Sequence, residues 1–536
     1  MRSSLSSCHR RRQSLPNKLF CVCIYNIYIY IYMYICIYIY VYHLLHCFRV
    51  MAPAYERQFC DHFMLLKPED GSFYGLIRFL LFSDYSETSG FLHYTETDLQ
   101  GDFWRRWYIF NSLLVQKLLL LFGKPLVLVG NMLKLWLNLL SRNGGFLKLF
   151  FKFFTGGVVR PDPSSATFTS VVGCLDGRVE LDKSIRQGDR KYNASLAMMA
   201  SKLSYENAEF VHTIIRDHWN MENLGFYNFW NDFQGQPSTQ AIMFQDTKNN
   251  PNLIVVGFRG TDPFDPIALG IDVDLSWIEL EGVGMAHSGF MKALGLQKDK
   301  GWPKEIEKRS DPQQQYAYYE IRSKLREILQ KNERAKFIVT GHSLGGALAI
   351  LFVTILAMHE EAWLLDKLEG VYTFGQPRVG NKQFGYYMKE KLKENDVRYL
   401  RYVYCNDIVP RVPYDDDSIF FEHFSPCLYY NMYYNGKVLG EEPNKNYFSP
   451  LWVIPKYLNA ILELIRSFII PYIGGSDYKE NWLMKMYRVL GLIIPGLAEH
   501  SLQDYVNITR LGSLPMDLQN SLRHRNSKVG LPKKSQ

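Results

Sequence analysis

Gly341, His342, Ser343, Leu344 and Gly345 stand between an apolar run, Phe337 to Thr340, and a string of small or helix-forming residues, Gly346 to Leu351. A serine with glycine two residues away on each side suits a nucleophile lifted clear of a sheet, where a strand stops and reverses into a helix. Such a reversal strains the backbone at the serine, so its neighbours must be nearly free of side chains. Gly346 and Ala347 let the following helix pack close and aim its first N–H groups at negative charge developing beside Ser343. A serine hydroxyl is a poor nucleophile at neutral pH. A histidine must take its proton, and a carboxylate must fix that histidine's tautomer and orientation.

The remaining parts are sought at the ends of strands. Val397 to Cys405 is strand-like and runs into Asn406 and Asp407, which places Asp407 at a carboxyl end, where α/β sheets put their active-site loops. The nearby run Asp415, Asp416, Asp417 reads instead as solvated. Two histidines follow both Ser343 and Asp407, namely His423 and His500, and chain order leaves the choice of base open. Acyl transfer also needs two donors aimed at the oxyanion. The N–H of Leu344, after the nucleophile, is one; Thr261, where the apolar strand Asn252 to Phe258 exits through Arg259 and Gly260, is the other.

Several elements must position these groups. Tyr316 to Ala335 carries Ile321, Leu325, Ile328 and Leu329 on one face of a charged segment, an amphipathic helix leading into the strand before Ser343. Residues 195–220 have helical spacing and should pack on the sheet. Pro263 to Met285 is too apolar for an idle surface loop and reads as a lid over the site, as a core helix plus strand, or as both sharing the segment.

The formal net charge is +8, but residues 1–50 hold six Lys/Arg and no Asp/Glu, and without them the balance is +2. No basic stripe with interleaved aromatics argues for nucleic acid. The alternating Ile/Tyr run from Ile27 to Tyr42 is what a TA dinucleotide repeat encodes. Residues 1–50 are therefore read as a non-native or low-complexity extension, with Met51 as a plausible start and a signal sequence or membrane anchor as the alternative. Of nine cysteines, five lie in that segment. The others, Cys60, Cys174, Cys405 and Cys427, show neither metal-ligand nor disulfide spacing, which fits a reducing compartment. No metal or cofactor is called for.

Residues 51–160 form an N-terminal region whose stretch from Trp104 to Phe154 is strongly apolar. Lys117, Lys124, Lys134, Arg142, Lys148 and Lys152 interrupt it, so an interfacial hairpin, reversing near Gly123 and Pro125, or an amphipathic anchor is expected rather than a clean transmembrane helix. The bland alternative is a pair of buried core helices. The catalytic domain is expected over 161–512, after a Pro/Ser-rich linker, and 513–536 reads as a disordered tail.

Phe258 to Thr261, His287 to Phe290, Gly341 to Ala347, Thr373 to Gly380, Asn406 to Pro410 and His500 to Tyr505, in that order, resemble the motifs of the class 3 lipase family. The resemblance covers roughly residues 195–512. It implies an α/β-hydrolase fold with a mostly parallel sheet, a triad of Ser343, Asp407 and His500, and oxyanion donors at Thr261 and Leu344. The apolar lead-in and the apolar insert between Asp407 and His500 further resemble the plant oil-body lipases, which implies a triacylglycerol substrate and a lipid-droplet or membrane surface as partner, facing the cytosol. A phospholipase A1 or galactolipase would share the triad. An inert droplet-coating protein is the reading from another class.

Overall fold

The computed structural model describes residues 62–82, 90–95, 103–231, 234–247, 250–296, 314–413, 420–447 and 449–513. All fall within one compact unit beginning at Phe59. The readings of residues 1–50, of the acidic run 415–417 and of nearly all of the 513–536 tail lie outside the described residues.

The chain enters through strand β1 (Phe63–Leu66), helix α1 (Phe73–Phe82) and strand β2 (Leu92–Tyr94), then forms the long helix α2 (Phe103–Arg142) and the short α3 (Phe146–Thr155). Helix α4 (Tyr192–Leu203) leads to three strands, β3 (Glu222–Asn231), β4 (Gln236–Asp246) and β5 (Leu253–Phe258). Next come helix α5 (Pro266–Val273) and a hairpin, β6 (Trp277–Leu280) with β7 (Gly284–His287). Helix α6 (Ala317–Lys331) delivers β8 (Lys336–His342), which turns straight into α7 (Leu344–Met358). Strands β9 (Leu368–Phe374) and β10 (Arg398–Tyr404) follow, with helix α8 (Lys382–Glu394) between them. Strands β11 (Cys427–Tyr430) and β12 (Gly436–Leu439) complete the sheet. The insert supplies helices α9 (Val453–Gly474) and α10 (Trp482–Gly491) before α11 (Leu502–Arg510).

The main sheet has the order β12-β11-β10-β9-β8-β5-β4-β3, with β5, β8, β9, β10 and β11 parallel at its centre. One core lies on the face covered by α6 and α7. The other lies beneath α4 and α11. Helix α7 is buried all round, as its almost uninterrupted apolar sequence requires. In α6, Ile321, Leu325 and Leu329 face inward at helical spacing, and truncating any of them to alanine would cost about 2–5 kcal/mol.

Helices α2 and α9 are built the other way round. The buried stripe of α9 includes Lys456, Glu463 and Ser467, while Ile454, Leu458, Ile461, Ile465 and Phe468 are exposed. In α2, Arg105, Arg106, Ser112, Gln116, Gly123, Gly130 and Asn138 face the protein, and Leu121, Leu128 and Met132 face outward. That pattern overturns the pair of buried core helices for most of the run, although Ile109 and Leu113 near the start of α2 do pack into a core with β1 and α1. It also corrects the hairpin, because α2 continues through Gly123 and Pro125 and the helix breaks only at Gly144 and Gly145, both at positive φ. By length and composition α2 is apolar enough to cross a membrane, contrary to the expectation drawn from its lysines. Two of those amines are turned to the protein: Lys117 donates to the carbonyls of Pro68 and Gly71, and Lys134 pairs with Asp262.

The boundary expected near residue 160 is a connection inside the unit, since β1 pairs with β6 and Ser112 of α2 donates to the Val273 carbonyl. In the segment 263–285, α5 is a short helix with Ala268 and Ile271 buried, and Trp277, Ile278 and Leu280 are buried strand residues, as the helix-plus-strand reading expects.

Candidate active site

The registers of the parallel strands bring four carboxyl ends to one edge: Phe258 opposite Gly341, His342 opposite Phe374, and Phe374 opposite Tyr402. Ser343 sits there at φ 58°, ψ −131°, the strained geometry of a strand-to-helix elbow. The two flanking glycines are obligatory. A Cβ on Gly341 would fall 2.1 Å from the Gly345 carbonyl carbon, and one on Gly345 would fall 2.3 Å from the Phe258 oxygen. The same closeness presses the end of β5 against the elbow. Ser343 N–H donates to the Phe374 carbonyl at 2.9 Å, which ties the elbow to the end of β9.

One residue further along, Gly375 has φ +58°, and a Cβ there would lie 2.8 Å from Asp407 Oδ2 and 2.9 Å from His500 Cε1. The histidine and carboxylate are thus packed directly against the strand end that holds Ser343. His500 Nδ1 lies 2.9 and 2.8 Å from the two carboxylate oxygens of Asp407. Since a carboxylate only accepts, Nδ1 carries the proton and Nε2 is left as the free base. Asp407 is fully buried. It also accepts from the Tyr505 hydroxyl at 2.5 Å and from the Val409 N–H at 2.9 Å.

His342 fixes the other side of the pair. Its ring lies 4.4 Å from that of His500, and burial holds its pKa well below the usual histidine range. As a neutral ring it donates from Nε2 to the His500 carbonyl at 3.1 Å, while the Tyr205 hydroxyl donates to its Nδ1 at 3.0 Å.

The two candidate histidines have different surroundings. His423 is packed among Arg401, Glu442 and Arg378, and its Nε2 donates to the Pro410 carbonyl at 2.7 Å. Burial and those guanidinium groups keep it neutral. His287, in another of the matched motifs, is equally buried; desolvation lowers its pKa to about 4, and its ring stacks on Phe290 at 3.8 Å. Its work is to hold β7 through the Asp274 carbonyl at 2.6 Å.

Thr261 follows Gly260, whose Cα has no room for a side chain between the Tyr205 hydroxyl and the His342 carbonyl. The strand exit is therefore wedged against the elbow, with Leu344 beginning α7 beside it. Thr261 Oγ1 donates to Asp272 of α5 at 2.6 Å. Although Asp272 as a residue is only partly buried, desolvation pushes its carboxyl up to about 7, opposed by the Thr261 hydrogen bond and the nearby His500. Between the ordinary aspartate pKa and pH 7, the folded chain holds a proton that the unfolded chain has lost. This group therefore favours the fold below about pH 4, and its contribution falls as pH rises to about 7. Asp272→Asn removes the titration, so the variant should melt higher than the parent at pH 8, by about 1–2 kcal/mol after screening, and equally at pH 4. A gap independent of pH in a melting series would refute the buried-carboxylate account.

Tyr505, Tyr205, Asp272 and Gly375 were given no role by the sequence reading. Tyr505 and Gly375 had a faint signal, since they lie in the matched motifs His500 to Tyr505 and Thr373 to Gly380. Tyr205 and Asp272 meet the site only through contacts between distant segments.

The profile described as "Lipase (class 3)" matches residues 255–417. Two proteins called Triacylglycerol lipase OBL1, from Nicotiana tabacum and Arabidopsis thaliana, are each 39% identical to this chain, over 84% of it and 95% of their own length. A third of that name, from Ricinus communis, is 36% identical over 84% of this chain and 94% of its own.

Proposed function

Because the chain belongs to the class 3 lipase family and carries the α/β-hydrolase fold, we propose that it is a triacylglycerol lipase working from the cytosol at lipid-droplet (oil-body) surfaces. The observation that carries the chemistry is His500 held through Nδ1 by both oxygens of Asp407, packed on Gly375 next to the strained Ser343.

In this reading Ser343 Oγ attacks the ester carbonyl carbon while His500 Nε2 accepts its proton. The N–H groups of Thr261 and Leu344 take the charge that develops on the carbonyl oxygen. Collapse of the tetrahedral intermediate expels the glyceryl oxygen, which takes the proton back from the imidazolium. Water, deprotonated by His500, then attacks the acyl-enzyme, and collapse of the second tetrahedral intermediate breaks the bond to Ser343 Oγ, which takes the proton from the imidazolium as the fatty acid leaves. Asp407 holds the tautomer throughout and stabilises the imidazolium. These side chains and water suffice for the sequence.

The outward apolar faces of α2 and α9 support the lipid surface as partner, because exposed apolar area of this extent on inward-polar helices suits acyl chains rather than water. The full chain assayed on emulsified triolein, phosphatidylcholine vesicles and a galactolipid should cleave triolein fastest, and Ser343→Ala should cleave none. Preference for a headgroup lipid would move the reading to phospholipase A1 or galactolipase, and absence of any ester cleavage would leave a droplet-coating protein. For targeting, Leu121→Gln, Leu128→Gln and Met132→Gln combined should release a fluorescent fusion from droplets. Undiminished droplet signal would shift that role away from α2.

A further inference from the structure

Helix α2 does more than present an apolar face, because its inward stripe runs along the segment that carries Thr261 and α5. Four contacts follow one antiparallel register. Lys134 Nζ pairs with Asp262, the residue after Thr261, at 2.7 Å. Gly130 forms a notch for Phe264: a Cβ added there would fall 2.3 Å from Phe264 Cβ and 2.6 Å from its Cγ. Gly123 takes Pro266 in the same way, with 3.2 Å to Cγ. Ser112 Oγ donates to the Val273 carbonyl at 2.6 Å, at the far end of α5.

The spacing 123 to 130 is one heptad, so both glycines lie on the same face of α2, and no larger residue fits at Gly130 without moving Phe264. Asp262 is held twice over, since it also accepts from the Phe264 N–H at 3.1 Å. A shift of this turn is passed directly to Thr261, whose own hydroxyl is fastened to Asp272 within the same segment. The lid-like segment is therefore strapped along its length to the helix that faces lipid.

We propose that Gly130 and Lys134 of α2 are positioning residues for the oxyanion loop, so that the apolar helix is part of the active-site frame as well as a lipid-facing surface. The proposal rests on the lipase reading for its kinetic arm. Displacing Thr261 by a fraction of an ångström weakens a donor that acts in the transition state, so the loss appears in kcat with KM little changed. Water-soluble and emulsified esters should suffer alike, whereas loss of a mere anchor would affect only the emulsion.

The test compares the full chain with Gly130→Ala, Lys134→Met and the double variant Gly130→Ala with Phe264→Gly. On p-nitrophenyl butyrate below its solubility limit and on triolein emulsion, Gly130→Ala should lower kcat by about tenfold to a hundredfold. Lys134→Met should lower it less. Droplet flotation should be unchanged, and Phe264→Gly should restore a large part of the Gly130→Ala loss by emptying the notch. Hydrogen exchange of amides 261–273 should quicken in Gly130→Ala and slow again in the double variant. Unchanged kcat on the soluble ester, a loss confined to triolein, or a double variant no better than the single would overturn the proposal. If the parent cleaves no ester, the lipase reading fails, and the exchange rates still decide whether the strap exists.

Discussion

His500→Ala and Ser343→Ala should each lower kcat by about 10⁶-fold, to the same residual level as the two together, because the pair acts as a unit. The geometry gives the reason: Asp407 fixes the proton on Nδ1 of His500 and leaves Nε2 to act as base. Asp407→Asn should cost about 10⁴-fold through the wrong tautomer, the magnitude known for the same change in serine proteases. His423→Ala should keep most of the turnover, since that ring donates to the Pro410 carbonyl inside an arginine and glutamate cluster. It may not be judged by expression level alone: emptying a buried position beside Glu442 costs stability, so kcat is to be compared per folded active site. Full activity in His500→Ala, or complete loss in correctly folded His423→Ala, would reverse the assignment.

The second large effect concerns stability. Arg488→Met should destabilise the fold by about 3–5 kcal/mol, because it leaves buried carboxylates without their cation. Arg488 is fully enclosed and bonds Glu480 at 2.7 and 2.6 Å, Glu463 at 3.2 Å and Asp504 at 3.0 and 3.2 Å. Arg466 adds links to Glu463 at 2.6 Å and Asp504 at 2.9 Å, and the Tyr404 hydroxyl donates to Glu463 at 2.6 Å. This lattice joins α9 and α10 of the insert to the end of β10 and to α11. Asp504 also receives the Ser501 hydroxyl, next to His500, and Tyr505 reaches Asp407. Thermal unfolding of Arg488→Met should show a clear drop in midpoint, with activity falling before global melting as His500 loses its support. A midpoint within a degree of the parent's would show that the lattice contributes little.

The lattice also accounts for the reversed polarity of α9. In water, a helix with Lys456, Glu463 and Ser467 inward and isoleucines outward would be an error of pattern, but under the proposed contact with lipid the ordinary requirement is reversed. The apolar content of residues 104–154 and 451–494 was plain in the composition. The side each helix turns outward was not, because a stripe of polar residues reads as a solvated face until its partners are seen. Gly123 and Pro125 were read as a reversal because local turn chemistry is strong, yet α2 continues past them in contact with Pro266, Phe264 and Asp262, more than 120 residues away.

By itself the sequence determined whatever depends on neighbours along the chain. Glycines at 341 and 345 permit φ 58° at Ser343, an apolar run makes β8, small residues make α7, and helical spacing makes α6. It also placed Asp407 and Thr261 at strand ends. Only the tertiary structure decided which histidine meets Asp407 across 93 residues, which hydroxyls brace His342 and Asp407, and that the apolar helix α2 contacts the turn after Thr261. The physical reason is range. Backbone strain and periodicity are written into consecutive residues, whereas a proton's position and a side chain's surroundings are set by whichever distant groups the packed sheet brings within hydrogen-bond reach.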